Sequence, residues 1–261
     1  MSKKVLVLIP AYNEENNIRK VLRAYYQSPA AEYSDIIVID DGSKDNTAIT
    51  AKEEGAKVIS QIYNMGYGAA LQTGYKYALD KGYENVIQLD ADGQHSIQNI
   101  EWIYNKLTIQ NENEKLPDIV IGSRYLKGSQ SFTMSQIRLI AVKMFRMVIK
   151  WTTGNVITDP TSGLQGLNRR AFSYYAQFNQ FDIHYPDINM ILQMLLLGYH
   201  VTEIPAVMHQ RTEGVAMHSG VIKPIKYMIL MAISSLNAIL RYHRVFKIEK
   251  KRLKSAELDE T

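Results

Sequence analysis

The stretch Ile36-Ile37-Val38-Ile39-Asp40-Asp41-Gly42-Ser43 decides the fold, because an apolar run gives way at once to carboxylates. The same change occurs where residues 85–89 are followed by Asp90-Ala91-Asp92-Gly93-Gln94-His95. A short apolar run rich in β-branched residues is typical of a strand buried in a parallel sheet. Ligands of open α/β sheets bind at the carboxyl ends of the strands. We therefore expect both acidic segments at the ligand-binding edge of one sheet.

The surrounding sequence predicts an α/β domain in which strands and helices alternate. We expect strands over residues 4–9, 35–39, 57–60, 85–89 and 118–121. Helices are expected between them, over residues 14–27, 45–54, 69–80 and 97–107. Such alternation predicts a parallel sheet with helices on both faces. The second half predicts helices over 136–151, 182–197 and 221–241, a strand over 201–208 and a turn over 159–163.

Composition narrows the class of protein. The 261 residues carry 30 basic and 26 acidic side chains, a net charge of +4 that is too mild to indicate nucleic-acid binding. There is no cysteine, so disulfides and thiolate metal sites are excluded. The apolar run 5–10 is too short for a signal peptide, and no segment has the roughly 20 apolar residues of a membrane span. We therefore expect a cytoplasmic protein.

The alternating residues Asp90, Asp92 and Gln94 form a candidate metal site. In an extended segment, residues two apart share a side, so three oxygen ligands would converge there. Oxygen ligands suit Mg²⁺ or Mn²⁺, with a substrate diphosphate completing the coordination shell. The alternative is an Asp-rich turn that merely caps the next helix. The position directly after a predicted buried strand favours the metal site.

Residues at the first two strand ends are candidates for nucleoside binding. Tyr12 would stack on a base, and Asn13 or Glu14 would reach a ribose or base edge; Asp40 and Asp41 offer the same chemistry. The alternative for the first strand end is a strand-to-helix turn with Asn13 as N-cap, and for Asp40 and Asp41 it is a helix cap. The segment 64–68 holds a G-x-G that lacks the third glycine of a dinucleotide fingerprint. A close contact between a helix and a loop is the favoured interpretation there.

Two further features suggest an anionic substrate and a membrane surface. Arg124, Arg138 and Arg211 lie at turns or helix starts, where a guanidinium can bind phosphate through two hydrogen bonds, although a solvated surface role is the alternative for each. The predicted helix 136–151 has a basic stripe of Lys143, Arg146 and Lys150. A basic amphipathic helix can lie in a membrane interface, but a core helix with a solvated stripe fits the periodicity equally well.

The chain resembles the family 2 glycosyltransferases with the GT-A fold, in particular those that act on polyprenyl phosphates. The motifs that carry the resemblance run in family order over roughly residues 4–240; they are LIPAYNEE, VIDDGSKDNT, NMGYGAALQTG, QLDADGQH, GSRY, DPTSGLQ and EIPAVMHQRTEG. The resemblance implies a GT-A, Rossmann-like α/β fold with a mostly parallel central sheet and C-terminal amphipathic helices. It implies a catalytic domain over residues 1–220 and a membrane-proximal helix and charged tail over 221–261.

The resemblance also assigns roles to residues. The nucleoside site would be lined by Pro10, Ala11, Tyr12, Glu14 and Asp41. The metal would be held by Asp90, Asp92 and Gln94. The acceptor phosphate would meet Arg124 and Arg138, and the donor diphosphate Arg211. Asp159 resembles the residue proposed as base in related enzymes, although orienting the arginines is its alternative role.

These roles together imply an inverting, metal-dependent enzyme. It would move a sugar, with UDP-glucose favoured, from a nucleotide diphosphate to a polyprenyl phosphate such as undecaprenyl phosphate, at the inner face of the cell membrane. The expected partners are both substrates, the membrane surface and a membrane protein that delivers the lipid. One alternative is a transferase that elongates a saccharide, for which Asp159 or Asp187 would be an essential base. Another is a non-catalytic nucleotide-sugar-binding protein.

Overall fold

A computed structural model describes residues 3–110, 115–131, 136–210, 228–243 and 246, without the side chains of residues 136–138. Seven strands form one sheet, and they are β1 Val5–Ala11, β2 Ser34–Asp40, β3 Lys57–Ser60, β4 Asn85–Gln88, β5 Ile119–Ser123, β6 Gln165–Asn168 and β7 Val201–Pro205. The helices are α1 Glu15–Tyr26, α2 Ala30–Tyr33, α3 Thr47–Glu53, α4 Tyr67–Asp80, α5 Gln98–Thr108, α6 Gln136–Thr153, α7 Arg169–Tyr175, α8 Ile188–Leu196 and α9, described over residues 228–243.

The sheet has the strand order β3-β2-β1-β4-β6-β5-β7. All neighbouring strands are parallel except β6, which is antiparallel to both β4 and β5. The expectation of a mostly parallel central sheet is thus confirmed, with β6 as the antiparallel strand. The strand β6 and the helices α2 and α7 were not predicted. Residues 165–168 read Gln-Gly-Leu-Asn, which contains two poor strand formers, Gly and Asn, and no β-branched residue.

The sheet separates two hydrophobic layers, because alternate residues of a strand point to opposite faces. On β1, Leu6 and Leu8 pack with one layer, to which α4, α6, α7, α8 and α9 contribute. Val5, Val7 and Ile9 pack with the other, to which α1, α3 and α5 contribute. Both faces of the central strands are therefore covered, which explains why β1 and β2 read as continuous apolar runs rather than as alternating ones.

The proposed domain boundary at residue 220 lies outside the described residues, so the division into 1–220 and 221–261 stays a prediction. The predicted helix over 221–241 is present over residues 228–243. Its buried residues Met231, Ala238 and Tyr242 belong to the same core cluster as α8. Among the described residues, no helix is both long enough and apolar enough to cross a membrane.

Gly166 permits the close approach of α5 to the unexpected strand β6. A Cβ atom built at Gly166 would lie 2.1 Å from Ile103 Cγ2 and 2.9 Å from Leu107 Cδ1. We expect Gly166→Ala to lower the free energy of unfolding by about 2 kcal/mol, because the helix and its side chains must shift to relieve overpacking. Urea unfolding followed by circular dichroism measures the change. A loss below about 0.5 kcal/mol, the range of ordinary surface substitutions, would contradict this packing.

Candidate active site

The carboxyl ends of β1 and β2 are joined by hydrogen bonds between their following loops. Asn13 N donates to Ser43 Oγ at 3.0 Å, and Lys44 N donates to Asn13 Oδ1 at 2.8 Å. Asn13 adopts a left-handed φ of 54°, a conformation that asparagine tolerates better than most residues. The two loops therefore form one edge of the candidate site, as the strand-end argument predicted.

The residues predicted to bind the nucleoside lie along this edge with different accessibility. Pro10 and Ala11 are the last residues of β1 and are buried, whereas Tyr12 follows them and is 39% exposed. Glu14 accepts a hydrogen bond from Asn17 Nδ2, and its own N–H donates to Thr47 Oγ1 at 2.8 Å. Glu14 thus occupies the N-cap position of α1, where the capping alternative expected Asn13, while Tyr12 offers an exposed ring.

Asp41 holds a neighbouring loop. Its two carboxylate oxygens accept hydrogen bonds from Met65 N at 2.7 Å and Gly66 N at 2.8 Å. Burial raises the pKa of the Asp41 carboxyl, although these two hydrogen bonds oppose the rise. In this geometry, Asp41 ties the end of β2 to the segment 64–68. It acts on that segment as a clamp, a role that its sequence position did not reveal.

The G-x-G of residues 66–68 makes the helix–loop contact that was favoured. Gly66 has a φ of 99°, which side chains other than glycine rarely adopt. A Cβ atom at Gly68 would lie 2.5 Å from the carbonyl oxygen of Asp182. Ala69 N also donates to Ile183 O at 3.1 Å. The glycines thus let the start of α4 pack against the 182–183 backbone, and no phosphate needs to be invoked for them.

The predicted metal-binding segment begins two residues after β4. Tyr67 Oη donates to Asp90 Oδ1 at 3.1 Å, and Asp92 Oδ1 accepts from Gln94 N at 3.0 Å. The second contact is the Asp turn that was the structural alternative. No group of three or more histidine, aspartate or glutamate side chains in the described ranges is arranged as a metal site. The candidate set therefore consists of two carboxylates and one amide, all oxygen donors suited to a hard cation.

Space beside Asp90 is maintained by a glycine. A Cβ atom at Gly163 would lie 3.0 Å from Asp90 Oδ2 and 3.1 Å from Tyr67 Oη. Any larger residue would press on the carboxylate that the sequence assigns to the metal. The donor chemistry and this cradle fit a divalent cation.

His95 is a site residue that the sequence reasoning missed. It is buried, and its Nε2 lies 3.8 Å from Asp90 Oδ2. Burial lowers the pKa of His95 to about 4, so the imidazole is neutral at neutral pH. A neutral ring accepts from Asp90 N through Nδ1 at 3.4 Å. His95 therefore stabilises the acidic segment through the backbone of Asp90. Its position next to Gln94 was the only feature of the sequence that could have indicated this role.

Arg124 and Asp159 form a buried ion pair. Asp159 is 0% exposed and accepts from Arg124 Nε and Nη2, both at 2.6 Å, and from Arg124 N at 2.9 Å. Arg124 Nη2 also donates to Thr161 Oγ1 at 2.9 Å. Burial lowers the pKa of Arg124, but its hydrogen bonds and attraction to Asp159 outweigh that and raise the pKa above its usual value. This geometry fits Asp159 as the residue that orients Arg124.

Glu203 on β7 holds the segment that carries Asp159, and it was not predicted. Its Oε1 accepts from Asp159 N at 2.7 Å, and its Oε2 accepts from Thr158 N at 2.6 Å. Thr158 Oγ1 also donates to Oε1 at 3.0 Å. Burial raises the pKa of Glu203 against the lowering effect of these hydrogen bonds. The chain of contacts therefore runs from β7 through Asp159 to Arg124.

The other two predicted arginines, Arg138 and Arg211, have side chains outside the described part of the chain. Arg138 lies on α6, but its side chain is outside the described part of the chain. Arg211 lies outside the described residues altogether. Their roles therefore stay predictions.

The helix α6 presents three faces rather than two. Ala141, Val142, Phe145 and Ile149 are buried. An exposed apolar stripe lies on the far side and comprises Ile140, Met144, Met147 and Trp151, of which Trp151 is 85% exposed. Lys143 and Lys150 are exposed beside it. Arg146 does not belong to this basic stripe, because its Nε donates to the carbonyl of Thr158 at 2.6 Å. The structure thus separates Arg146 from Lys143 and Lys150 of the predicted basic stripe, and the membrane role of that stripe stays a prediction.

The helix α9 repeats the apolar spacing of α6. Its exposed apolar residues are Ile229, Ile233, Leu236 and Leu240, again at positions i, i+4, i+7 and i+11. This spacing places the four side chains on one helical face. Together with the stripe of α6, they form two exposed apolar ridges.

Removing the Glu203 carboxylate tests whether it holds the segment of Thr158 and Asp159 in place. We expect Glu203→Ala to lower the free energy of unfolding by about 2–4 kcal/mol, because the backbone N–H groups of half-buried Thr158 and buried Asp159 lose their acceptor. Urea unfolding measures the change. The matched control is Glu84→Ala, which removes an exposed carboxylate paired with Lys4 and should change stability by less than about 0.5 kcal/mol. Equal effects of the two substitutions would contradict the assignment.

Several known proteins are similar to this chain in sequence. The polyprenol monophosphomannose synthase of Mycolicibacterium smegmatis is 27% identical over 233 residues, covering 84% of this chain and 82% of the relative. A dolichyl-phosphate beta-glucosyltransferase of Trichomonas vaginalis is 30% identical over 245 residues, with 87% and 70% covered. The undecaprenyl-phosphate mannosyltransferase of Micrococcus luteus is 26% identical over 226 residues, with 83% and 88% covered.

Solved structures share the fold. Glucosyl-3-phosphoglycerate synthase from Mycobacterium tuberculosis, in complex with phosphoglyceric acid, superposes with a TM-score of 0.65 at 19% identity, covering 88% of this chain and 80% of that one. The family model described as glycosyl transferase family 2 matches residues 6–175, more than half of the chain. With the α/β sheet and the motifs at its strand ends, this match shows that the chain belongs to the family 2 glycosyltransferases.

Proposed function

We propose that this glycosyltransferase moves a sugar from a nucleotide diphosphate sugar to a polyprenyl phosphate at a membrane surface. The observation that carries the proposal is the buried Arg124–Asp159 ion pair. A hydroxyl acceptor would need a base whose carboxylate is unoccupied, whereas the carboxylate of Asp159 is engaged by Arg124 and orients its positive charge. The relatives from Mycolicibacterium smegmatis and Micrococcus luteus, matched over more than 80% of their length, are named for polyprenol and undecaprenyl phosphate.

The nucleotide would lie across the ends of β1 and β2. Tyr12 offers its ring for stacking on the base, and Pro10 and Ala11 line the strand end below it. Asp41 clamps the segment 64–68, and Glu14 steadies the start of α1. In this proposal, Asp41 and Glu14 shape the pocket as much as they bind the nucleoside. Arg211 would meet the donor diphosphate.

Asp90, Asp92 and Gln94 would hold a divalent cation, Mg²⁺ or Mn²⁺. When bound, such a cation neutralises charge that builds up on the leaving diphosphate. Asp90 is held by Tyr67, and Gly163 leaves room beside it. Several of the solved structures that share the fold contain Mn²⁺ with UDP or UDP-glucose. UDP-glucose is accordingly our proposed donor.

The acceptor phosphate needs orientation more than deprotonation, because it is already anionic at neutral pH. One phosphate oxygen would attack the anomeric carbon from the face opposite the diphosphate, so that the configuration is inverted as the diphosphate leaves. Arg124 would bind the phosphate through Nη1, since its Nε and Nη2 are engaged by Asp159 and Thr161. Arg138 would be the second arginine. Asp159 then acts as a positioning residue for Arg124.

The two exposed apolar ridges support contact with the membrane. The lipid tail of a polyprenyl phosphate stays in the bilayer, so the acceptor site must approach the bilayer surface. The ridge of α6 carries Met147 and Trp151 beside Lys143 and Lys150. This combination is typical of helices that lie in the membrane interface. We propose peripheral attachment at the cytoplasmic face through α6 and α9, with a membrane protein as a further partner.

A donor screen tests the function. Purified protein, Mg²⁺ or Mn²⁺ and detergent-solubilised undecaprenyl phosphate are incubated with UDP-glucose, GDP-mannose and UDP-N-acetylglucosamine, and lipid-linked product is measured by mass spectrometry. We expect one donor, UDP-glucose, to give a glycosyl phospholipid. Transfer to free saccharides with none to lipid phosphate would favour a saccharide-elongating enzyme. The absence of transfer and hydrolysis with every donor would favour a non-catalytic protein.

The metal site predicts a specific loss. Asp92→Asn should weaken Mn²⁺ binding at least tenfold and abolish transfer, because one anionic ligand is lost. Mn²⁺ binding is measured by electron paramagnetic resonance, and EDTA should remove activity reversibly. Asp80→Asn is the matched control, since Asp80 is exposed and paired with Lys81. If Asp92→Asn bound Mn²⁺ as the parent does, the metal would have to lie elsewhere.

The membrane surface predicts salt-sensitive binding. The parent should float with anionic liposomes at low salt, because each lysine near an anionic leaflet contributes about 1 kcal/mol and salt screens this attraction. Replacing Lys143 and Lys150 with glutamine should reduce flotation, and Trp151→Ala should reduce it at low and high salt alike. The control replaces the exposed Lys52 and Lys76 with glutamine. Equal flotation of the test and control pairs would show that the stripe is only a solvated face.

A further inference from the structure

Within the described part of the chain, Arg146 makes contacts that the exposed Lys143 and Lys150 of the same helix do not make. Its Nε donates to the Thr158 carbonyl at 2.6 Å, and its guanidinium carbon lies 4.5 Å from the centre of the Tyr125 ring. Its Nη2 is buried and makes no hydrogen bond to any described residue. A buried N–H group without an acceptor is costly in a folded protein. The position therefore calls for an acceptor that is not part of the described chain.

The same corner of the site contains Arg124. The guanidinium carbon of Arg124 lies 5.9 Å from the centre of the same Tyr125 ring. Both arginines also contact one loop, since Arg146 binds Thr158 and Arg124 binds Asp159. Asp159 offsets the charge of Arg124. Arg146 instead binds a neutral carbonyl and a ring face, and among the described residues no carboxylate forms an ion pair with it.

Two guanidinium groups beside one ring indicate an anion with several oxygens. The planar fork of arginine matches phosphate, and such charge-assisted hydrogen bonds are among the strongest in proteins. We propose that Arg146 Nη2 binds an oxygen of the acceptor's phosphate, next to Arg124. Met147, the next residue along α6, belongs to the exposed apolar ridge. An anion at Arg146 therefore lies next to the surface from which a lipid would approach.

The contacts that hold the Arg146 side chain in place favour a role in ligand binding. Thr158, whose carbonyl accepts from Arg146, is itself held by Glu203 through its N–H and by Ser123 through its hydroxyl at 2.6 Å. The Tyr125 ring covers the guanidinium from the other direction. Both contacts restrict the rotamer of Arg146 in the absence of substrate. A pre-oriented side chain loses less entropy when its ligand binds.

The inference rests on the proposed function, and its test separates the two. Arg146→Gln, Arg146→Lys and the parent are compared for the KM of detergent-solubilised undecaprenyl phosphate, for kcat, and for the Kd of UDP by calorimetry. The control is Arg170→Gln, because Arg170 also stacks on a tyrosine, Tyr199, at 4.1 Å but donates to Asp118. Thermal unfolding identifies variants that do not fold.

We expect Arg146→Gln to raise the acceptor KM at least tenfold while the Kd of UDP stays within twofold of the parent. Arg146→Lys keeps the charge but loses the fork, so its KM should rise less, by about threefold to tenfold. Arg170→Gln should match the parent in both measurements. If Arg146→Gln does not fold, an unchanged KM in Arg146→Lys overturns the proposal. A weaker affinity for UDP with an unchanged acceptor KM also overturns it, because Arg146 would then bind the donor.

A direct binding measurement applies even if the parent transfers no sugar to lipid phosphate. Inorganic phosphate is titrated into the parent and into Arg146→Gln, or Arg146→Lys where the first does not fold, and binding is followed by ³¹P NMR line broadening. Binding by the parent that weakens in the variant supports the anion site even where the proposed function fails. Equal binding by both proteins, or none by the parent, overturns the inference.

Discussion

Arg124 is 7% exposed and Asp159 is 0% exposed, so two opposite charges are held almost out of contact with water. Removing one partner of such a pair leaves an uncompensated buried charge, which strongly destabilises a protein. The pair therefore fixes two segments that are far apart in the sequence, the end of β5 and the segment before β6. Glu203 joins a third, because it binds the backbone N–H groups of Thr158 and Asp159 from β7. The proposed acceptor side of the site depends on this arrangement.

The proposed donor side depends on a different constraint, the ends of the parallel strands. Asp41 follows β2, and its carboxylate accepts hydrogen bonds from the N–H groups of Met65 and Gly66. Asp90 follows β4, and its carboxylate accepts a hydrogen bond from the Tyr67 hydroxyl. Both contacts converge on the start of α4. The same short loop is thereby held by both acidic motifs, which links the nucleoside region to the candidate metal ligands. A substitution at residues 65–67 would therefore disturb both the nucleoside region and the candidate metal ligands.

Much of this architecture could be predicted from the sequence. The apolar runs of β2 and β4 end where carboxylates begin, and the topology of a parallel sheet brings such ends together. β6 could not be predicted, because its Gln-Gly-Leu-Asn sequence carries neither alternation nor β-branched residues. Its place in the sheet depends on its neighbours and on the absence of a side chain at Gly166, which lets α5 approach. These are tertiary effects that local propensity does not report.

The site shows the same limit. Helical periodicity gave the angular position of Arg146 on α6 and grouped it with Lys143 and Lys150, but it carries no information about the loop that lies against the helix. The carbonyl of Thr158 and the ring of Tyr125 turn this one residue inward. Glu203 was overlooked for a similar reason, since a glutamate in a strand is ordinarily solvated. Only the fold shows that it faces two backbone N–H groups.

We propose that Asp159 orients Arg124 toward an acceptor that is already ionised, rather than removing a proton. This proposal is tested most directly by the pH dependence of the single-turnover rate for parent and Asp159→Asn, with the acceptor affinity measured for both. The account predicts that Asp159→Asn weakens acceptor binding and leaves the shape of the pH profile unchanged. An ionisation on the acid side of the parent profile that disappears in Asp159→Asn, with acceptor affinity preserved, would contradict it.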